Sequence, residues 1–137
     1  MKKNFLLITI LITITALSFG CNSKNSSNES SSGEGKMISV SAEKAKEMMD
    51  SSSGYIILDV RRPDEYEAGH VKGAILLPDY EIIDKAESVL TDKNQQIFVY
   101  CRSGRRSKGA AKNLVQLGYT NIVEFGGIIN WPYEIEK

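Results

Sequence analysis

One cysteine stands in a short segment whose residue types favour nucleophilic chemistry. Cys101 follows the apolar run 96–100, which predicts a buried strand that delivers the cysteine to its carboxyl end. A turn containing Ser103 and Gly104 comes next, and a helix is predicted to begin at Arg105. Successive N–H groups of such a turn can converge on one anion, and the helix N-terminus adds partial positive charge. The segment therefore predicts a thiolate nucleophile at Cys101.

The same segment is rich in positive charge. Four cations stand in the seven residues after the cysteine, namely Arg102, Arg105, Arg106 and Lys108. Neighbouring cations favour the thiolate over the thiol, whereas cations at a helix N-terminus oppose the helix dipole unless an anion binds there. We therefore expect Cys101 to sit where a small dianion docks, with its sulfur ionised near neutral pH and within reach of solvent.

The elements that position this segment alternate between strand and helix. Apolar runs predict strands at 37–40, 55–58, 74–77, 96–100 and 121–125, and helical spacing predicts helices at 42–50, 80–90 and 105–117. Shorter helices are predicted after Pro63 and near Trp131. This alternation predicts an α/β fold with a mostly parallel sheet covered by helices on both faces. Sites in such sheets lie where strands end and helices begin, which is where Cys101 is placed.

Composition excludes several classes of protein. The chain has 137 residues, with 17 Lys and Arg balanced by 17 Asp and Glu, so no overall basic surface suggests a nucleic-acid partner. Two cysteines and one histidine cannot form a disulfide scaffold, nor a structural zinc site without carboxylates. The foldable part is about 100 residues, a common size for one domain.

Five motifs along the chain resemble the rhodanese family of sulfurtransferases, over residues 38–137. They are Leu58-Asp59-Val60-Arg61 after a strand, Glu65-Tyr66 in a short helix, Gly69-His70-Val71-Lys72-Gly73-Ala74, the loop Cys101–Arg106, and Gly126-Gly127 before Trp131. The resemblance implies a small parallel five-stranded sheet with helices on both faces.

The resemblance also implies a reaction. Cys101 would take a sulfane sulfur from a donor such as thiosulfate, form a persulfide, and pass the sulfur to a thiophilic acceptor such as cyanide or a thiol. The loop would bind the anionic substrate and stabilise the persulfide through Arg102, Ser103, Gly104, Arg105 and Arg106. No metal and no organic cofactor is implied.

Four residues outside the loop have expected supporting or structural roles. Asp59 and Arg61 follow a strand that should end at the active-site edge, so we expect them to support the loop or to pair with each other. His70 falls in a turn before a predicted strand, which favours a structural role over acid–base catalysis. Trp131 is expected to be a core aromatic residue.

Two other functions remain open at this stage. Cysteine phosphatases and arsenate reductases have a related loop with the pattern Cys-x5-Arg. In this chain Arg106 gives Cys-x4-Arg, and Ser107 stands where the arginine of a Cys-x5-Arg loop would be. A loop shortened in this way favours a single sulfur over a tetrahedral oxyanion. The second alternative is a membrane-tethered module that relays persulfide or thiol oxidation to a partner without a dedicated small-molecule substrate.

The N-terminus predicts export and a lipid anchor. A basic start and a short apolar run indicate a signal peptide at 1–20, and Leu17-Ser18-Phe19-Gly20-Cys21 resembles the lipobox of bacterial lipoproteins, in which Cys21 would carry lipid. The polar stretch 21–36 predicts a flexible Ser/Asn-rich linker, and 37–137 form the rhodanese-like domain. We expect an extracytoplasmic monomer held at a bacterial membrane by its lipid.

Overall fold

The computed structural model describes residues 35–137. In chain order its elements are β1 (Lys36–Ser39), α1 (Ala42–Asp50), β2 (Ile56–Asp59), α2 (Pro63–Ala68), β3 (His70–Val71), β4 (Ala74–Leu76), α3 (Ile82–Val89), β5 (Ile97–Cys101), α4 (Arg105–Gln116), β6 (Asn121–Gly127) and β7 (Ile135–Glu136). Short 3-10 turns at Asp79–Glu81 and Ile128–Asn130 precede α3 and follow β6.

Five of these strands form one parallel sheet in the order β1-β6-β5-β2-β4. The strand β5 lies at its centre, and all five of its residues are buried. Parallel strands end at a common edge, so the carboxyl ends of β2, β5 and β6 meet beside the N-terminus of α4. The predicted α/β fold with a five-stranded parallel sheet is confirmed.

Helices cover the sheet on both faces and produce two apolar layers. One layer joins residues of α3 and α4, such as Ile82 and Leu114, to the strand residues Leu58 and Val99. The other joins α1 to Phe98, Tyr100 and Phe125 on the opposite face. Successive residues of β5 therefore point into different layers, which places Cys101 on the α3 and α4 side.

Local sequence explains where the helices begin. The Ser41 hydroxyl accepts a hydrogen bond from the Lys44 N–H at 3.2 Å and caps α1, as expected for serine at this position. Pro63 occupies the first turn of α2, where its missing N–H costs nothing. Gly104 precedes α4 with φ of +97°, a conformation that glycine adopts without steric cost.

The C-terminal segment agrees only in part with the prediction. The expected short helix near Trp131 is present as a single 3-10 turn at Ile128–Asn130. The chain then forms β7, which pairs antiparallel with β3 in a separate two-stranded sheet. The segment 134–137 carries no apolar alternation long enough to predict a strand, and its ladder depends on pairing with residues about 65 positions earlier.

The N-terminal predictions fall largely outside the described residues. The predicted signal peptide 1–20, the predicted lipidation site Cys21 and the predicted linker up to residue 34 lie there. Lys36, assigned to the linker by its polar surroundings, is the first residue of β1 and pairs with Asn121. Among residues 35–137, no helix has the length and apolar character needed to cross a membrane.

Candidate functional site

The loop between β5 and α4 presents Cys101 at the carboxyl edge of the sheet. The register between β5 and β6 shifts between Val99 and Cys101, so the cysteine lies opposite Gly127. Residues 102–104 then turn the chain, and α4 begins at Arg105. The strand, turn and helix expected around Cys101 are therefore present.

Backbone N–H groups converge on the cysteine sulfur. The Gly104 N–H donates to Cys101 Sγ at 3.1 Å. Burial raises the pKa of the Cys101 thiol, but the N–H groups of Ser107, Ser103 and Gly104 outweigh it, so the net pKa is lowered. The loop therefore favours the thiolate at Cys101.

The sulfur is nevertheless covered. The Cys101 residue is only 1% exposed and belongs to the apolar cluster under α3 and α4. The expectation that its sulfur lies open to solvent is therefore not met in this conformation. In this conformation Cys101 therefore offers a donor almost no accessible surface.

Close backbone packing fixes the shape of the loop. A methyl group added at Gly127 would lie 2.2 Å from the Arg102 carbonyl oxygen and 2.6 Å from Ser103 Cα, so only glycine fits against the loop there. The Ile129 N–H also donates to the Arg102 carbonyl at 3.3 Å. The strand β6 and the turn after it thus form the floor of the loop.

The cations of the loop divide into two groups. Arg102 and Arg105 are exposed, whereas Arg106 is partly buried and forms a bidentate ion pair with Glu65, at 2.7 and 2.8 Å. The hydrogen bonds to Glu65 raise the pKa of Arg106, and those from Arg106 lower the pKa of Glu65 to about 2. Arg106 therefore ties α4 to α2, and its guanidinium is not an unpaired anion-binding group in this conformation.

Asp59 and Arg61 form a buried ion pair, which is one of the two roles expected for them. Arg61 Nη2 donates to Asp59 Oδ2 at 2.6 Å and to the Gly69 carbonyl at 2.7 Å. The Tyr100 hydroxyl donates to the same carboxylate oxygen at 2.5 Å and accepts from the Val71 N–H at 3.0 Å. Burial, followed by this bond to Asp59, raises the pKa of Tyr100. The network joins the residue before Cys101 to β2 and β3.

His70 and Trp131 take structural positions. The His70 ring stacks on Tyr66 with centroids 3.8 Å apart, and Nε2 lies 3.5 Å from a Glu136 carboxylate oxygen. Trp131 packs against Phe125, with ring centroids 5.2 Å apart, beside the apolar layer under α1. These contacts hold α2 and the C-terminal segment against the domain.

Sequence reasoning missed Glu124. Its side chain is buried at the centre of β6, and Oε1 accepts hydrogen bonds from the Ser107 hydroxyl at 2.7 Å and from the Gly126 N–H at 2.9 Å. A single acidic residue inside the otherwise apolar run 122–125 was the available signal, because buried carboxylates occur mainly where they have a specific partner. Within residues 35–137, no group of His, Cys, Asp and Glu side chains is arranged to hold a metal ion.

Comparison with known proteins gives consistent matches. Residues 41–132 match the family model of the rhodanese-like domain. The thiosulfate sulfurtransferase PspE of Escherichia coli (strain K12) is 39% identical over 71 residues, which are 52% of this chain and 68% of that protein. The putative sulfur carrier protein YrkF of Bacillus subtilis (strain 168) is 33% identical over 98 residues, which are 71% of this chain and 52% of that protein.

Solved structures give the same result. A structure described as a rhodanese with anions from E. coli has 35% sequence identity and a TM-score of 0.57, covering 61% of this chain and 98% of its own. The Alr3790 protein from Anabaena sp. has 28% identity and a TM-score of 0.65, covering 71% of this chain and 90% of its own.

The first prediction concerns the floor of the loop. Gly127→Ala should destabilise the protein by roughly 1–3 kcal/mol and raise the pKa of Cys101, because the added methyl group displaces the loop from its position. Gly109→Ala is the control, since it lies in α4 with open space around it and should stabilise the helix by about 1 kcal/mol. Urea unfolding and thiol titration measure both effects. Equal unfolding free energies and equal Cys101 pKa values in the two variants would contradict the proposed role of Gly127 in fixing the loop.

The second prediction concerns the pair between α2 and α4. Glu65→Gln should lower the stability at pH 7 by on the order of 1.5–3 kcal/mol, whereas Glu67→Gln, an exposed change on the same helix, should have little effect. Because the pKa of Glu65 is lowered from 4.5 to about 2, its contribution is complete above about pH 4.5 and is lost as the pH falls towards 2. Unfolding curves across this range should converge for the wild type and Glu65→Gln. A constant difference down to pH 2 would refute the assignment.

The third prediction concerns Tyr100. Tyr100→Phe should cost about 1–3 kcal/mol, since it removes one donor to Asp59 and leaves the buried Val71 N–H without its acceptor. Tyr80→Phe deletes the same hydroxyl from a side chain that is 64% exposed and should be nearly neutral. Denaturant unfolding of both variants checks this, and an equally neutral Tyr100→Phe would show that the network adds no stability.

Proposed function

The chain belongs to the rhodanese family of sulfurtransferases, and we propose that it transfers a sulfane sulfur from thiosulfate or a similar donor through a persulfide on Cys101. The observation that carries the proposal is the convergence of loop N–H groups on the Cys101 sulfur, with the Gly104 N–H at 3.1 Å. These donors lower the pKa of the thiol despite its burial, which increases the share of the nucleophilic thiolate.

The first half of the cycle loads the sulfur. The Cys101 thiolate attacks the outer sulfur of thiosulfate, a new S–S bond forms, and the bond to the sulfonate sulfur breaks. Sulfite leaves with the bonding electron pair, so no external oxidant or reductant takes part. The outer sulfur of the persulfide then carries the negative charge, which the same N–H groups can stabilise.

The second half of the cycle unloads it. Cyanide or an acceptor thiolate attacks the outer sulfur, and the Cys101 thiolate leaves as it was before the first step. The acceptor departs as thiocyanate or as a persulfide. Covalent catalysis of this kind divides the transfer into two displacements at sulfur, and it requires neither metal nor organic cofactor.

Arg102 and Arg105 are the best candidates to bind the anionic donor. Both are exposed beside the turn, and neither takes part in the ion pairs found among residues 35–137. Arg106 contributes differently, because its pairing with Glu65 fixes the start of α4. In this proposal Ser103 and Gly104 supply N–H groups, and Asp59 and Arg61 support the loop from β2.

A relay to a partner protein is the alternative, and the burial of Cys101 favours it. A partner that binds the exposed turn could open it, whereas a small donor must enter a site that is closed in this conformation. In the part of the chain that the structure describes, Cys101 is the only cysteine. If Cys21 carries lipid, a resolving thiol would have to come from the partner. Loading of the purified protein by thiosulfate separates the two functions.

We also propose that the domain acts outside the cytoplasm. The support is the sequence before the described residues, where a basic start, a short apolar run and Cys21 follow the pattern of a lipoprotein signal. Lipid on Cys21 would hold the domain at the membrane surface through the polar linker.

Cys101 should gain one sulfur atom when the purified protein is treated with thiosulfate. Intact-mass measurement should show this gain in the wild type and in Cys21→Ser, and not in Cys101→Ser, which exchanges a single atom of the side chain. Loss of activity in Cys101→Ser should be complete while its circular dichroism is unchanged. A gain of one sulfur atom by Cys101→Ser, or transferase activity in that variant, would disprove the mechanism.

Removal of the exposed arginines should weaken the use of thiosulfate. Arg102→Ala and Arg105→Ala should each raise the KM for thiosulfate by roughly two- to fivefold, since exposed ion pairs contribute about 0.2–1 kcal/mol. Lys112→Ala removes the same charge further along α4, beside Met37 of β1, and should leave KM unchanged. Steady-state kinetics at low and high salt measure these KM values. Equal KM values for all three variants would show that Arg102 and Arg105 do not bind the anionic donor.

A further inference from the structure

The outer face of α4 carries positive charge and no acidic residue. This face, which we call the crest, consists of five exposed residues, namely Arg105, Lys108, Gly109, Lys112 and Gln116. Its three cations stand three and four residues apart, a spacing that places side chains on one face of a helix. The α4 sequence contains neither Asp nor Glu. Since the whole chain has no net charge, the crest is a local feature and not part of a generally basic surface.

Other helices neutralise exposed lysines with acidic residues one turn away. On α1, the Lys44 ammonium lies 2.9 Å from the Glu47 carboxylate. At the start of α3, the Lys85 ammonium lies 2.9 Å from the Glu81 carboxylate. The three cations of the crest take part in none of the ion pairs found among residues 35–137. The crest therefore presents its positive charge to the surroundings of the protein.

This charge pattern disfavours the helix that carries it. Like charges three or four residues apart repel each other, and cations in the first turn oppose the helix dipole. Arg106 in the same turn is compensated by its ion pair with Glu65, whereas the crest has no such compensation. A small anionic donor at the loop accounts for Arg105, but Lys112 lies about two turns further along α4. An anionic partner larger than the donor accounts for the whole crest.

The crest begins beside the reactive cysteine. Arg105 is the first residue of α4, and the exposed Arg102 lies in the turn immediately after Cys101. A groove of about 330 Å³ runs along the same end of the helix, between the crest and the 3-10 turn Asp79–Glu81. Its lining residues are Asp79, Arg105, Arg106, Gly109, Ala110 and Asn113. A partner bound on the crest therefore has a concave surface next to the cysteine loop in which to place a short segment.

We propose that the crest, together with Arg102, is the docking surface for an acidic face of a partner protein that takes the sulfur from Cys101. The partner's cysteine thiolate attacks the outer sulfur of the Cys101 persulfide and forms a new S–S bond. The bond to the Cys101 sulfur breaks, and that sulfur leaves with the bonding electron pair. The partner thiol is the only co-reactant. The inference deepens the proposed sulfur transfer by naming its acceptor, and it rests on that proposal for the reaction.

The composition of the crest fits a protein surface better than a lipid surface. Helices that bind at membrane surfaces expose apolar side chains beside their cations. The apolar residues of α4 are buried instead, as Ala111 and Leu114 show, and the crest offers only Gly109 and Gln116 besides its cations. Carboxylates on a protein surface complement such a row, and the attraction speeds the encounter and selects the partner.

The test uses the full chain with Cys21→Ser and two synthetic peptides. Each peptide has one cysteine beside a short segment that carries four glutamates in one peptide and four glutamines in the other. Binding is measured by fluorescence anisotropy with serine in place of the peptide cysteine, so that it does not depend on sulfur transfer. We expect the glutamate peptide to bind roughly tenfold more tightly at low salt, because several weak ion pairs add together. The preference should vanish near 1 M salt, where the Debye length is about 3 Å.

Two matched double variants show whether the crest carries this preference. Lys108→Gln with Lys112→Gln should reduce it by roughly three- to tenfold. Lys44→Gln with Lys46→Gln removes two lysines from α1, on the opposite face of the sheet, and should leave it unchanged. Sulfur transfer from loaded Cys101 to the cysteine peptides, followed by mass, should rank the proteins in the same order.

Equal binding of the two peptides, or an equal loss in both double variants, would overturn the proposal. Sedimentation with phosphatidylglycerol vesicles is the third arm. Vesicle binding that falls in the Lys108→Gln and Lys112→Gln protein, without any preference between the peptides, would assign the crest to lipid and also overturn it. Binding of the serine peptides decides the docking surface whether or not thiosulfate loads Cys101, so its failure is distinct from failure of the proposed function.

Discussion

Hydrogen bonds from the loop to the Cys101 sulfur oppose the burial of that sulfur, and the rest of the site depends on which effect is larger. Burial disfavours a thiolate because charge is poorly solvated in an apolar layer. The N–H groups of residues 103, 104 and 107 replace the lost water with fixed dipoles, and the net result is a lowered pKa at Cys101. A covered thiolate of this kind is shielded from bulk solvent.

Several separate contacts hold the loop in the shape that this balance requires. Gly127 lets β6 approach the backbone of the turn, and the pair of Arg106 with Glu65 ties the start of α4 to α2. The network of Asp59, Arg61 and Tyr100 holds the end of β5 immediately before the cysteine. These contacts involve β2, α2, β5, α4 and β6, so the parallel sheet serves to bring distant parts of the chain to one edge.

Much of this arrangement could be predicted from sequence because it follows from local patterns. Apolar runs and helical spacing placed the sheet and its helices, and Cys101 fell between a strand and a helix as expected. The pairing of Arg106 could not be predicted, because a partner 41 residues away is a matter of tertiary packing. For the same reason the buried contacts of Glu124 and the ladder between β3 and β7 escaped prediction. The burial of Cys101 was missed since a turn of polar residues suggests exposure.

The measurement that bears most directly on this account is the ultraviolet titration of the Cys101 thiolate in the folded protein and in the unfolded chain, both carrying Cys21→Ser. If the loop donors outweigh burial, half of the sulfur should be ionised at a lower pH in the folded protein than in denaturant. If the folded protein instead required the same or a higher pH, burial would be the dominant effect, and the loop could not supply the nucleophile that sulfur transfer needs.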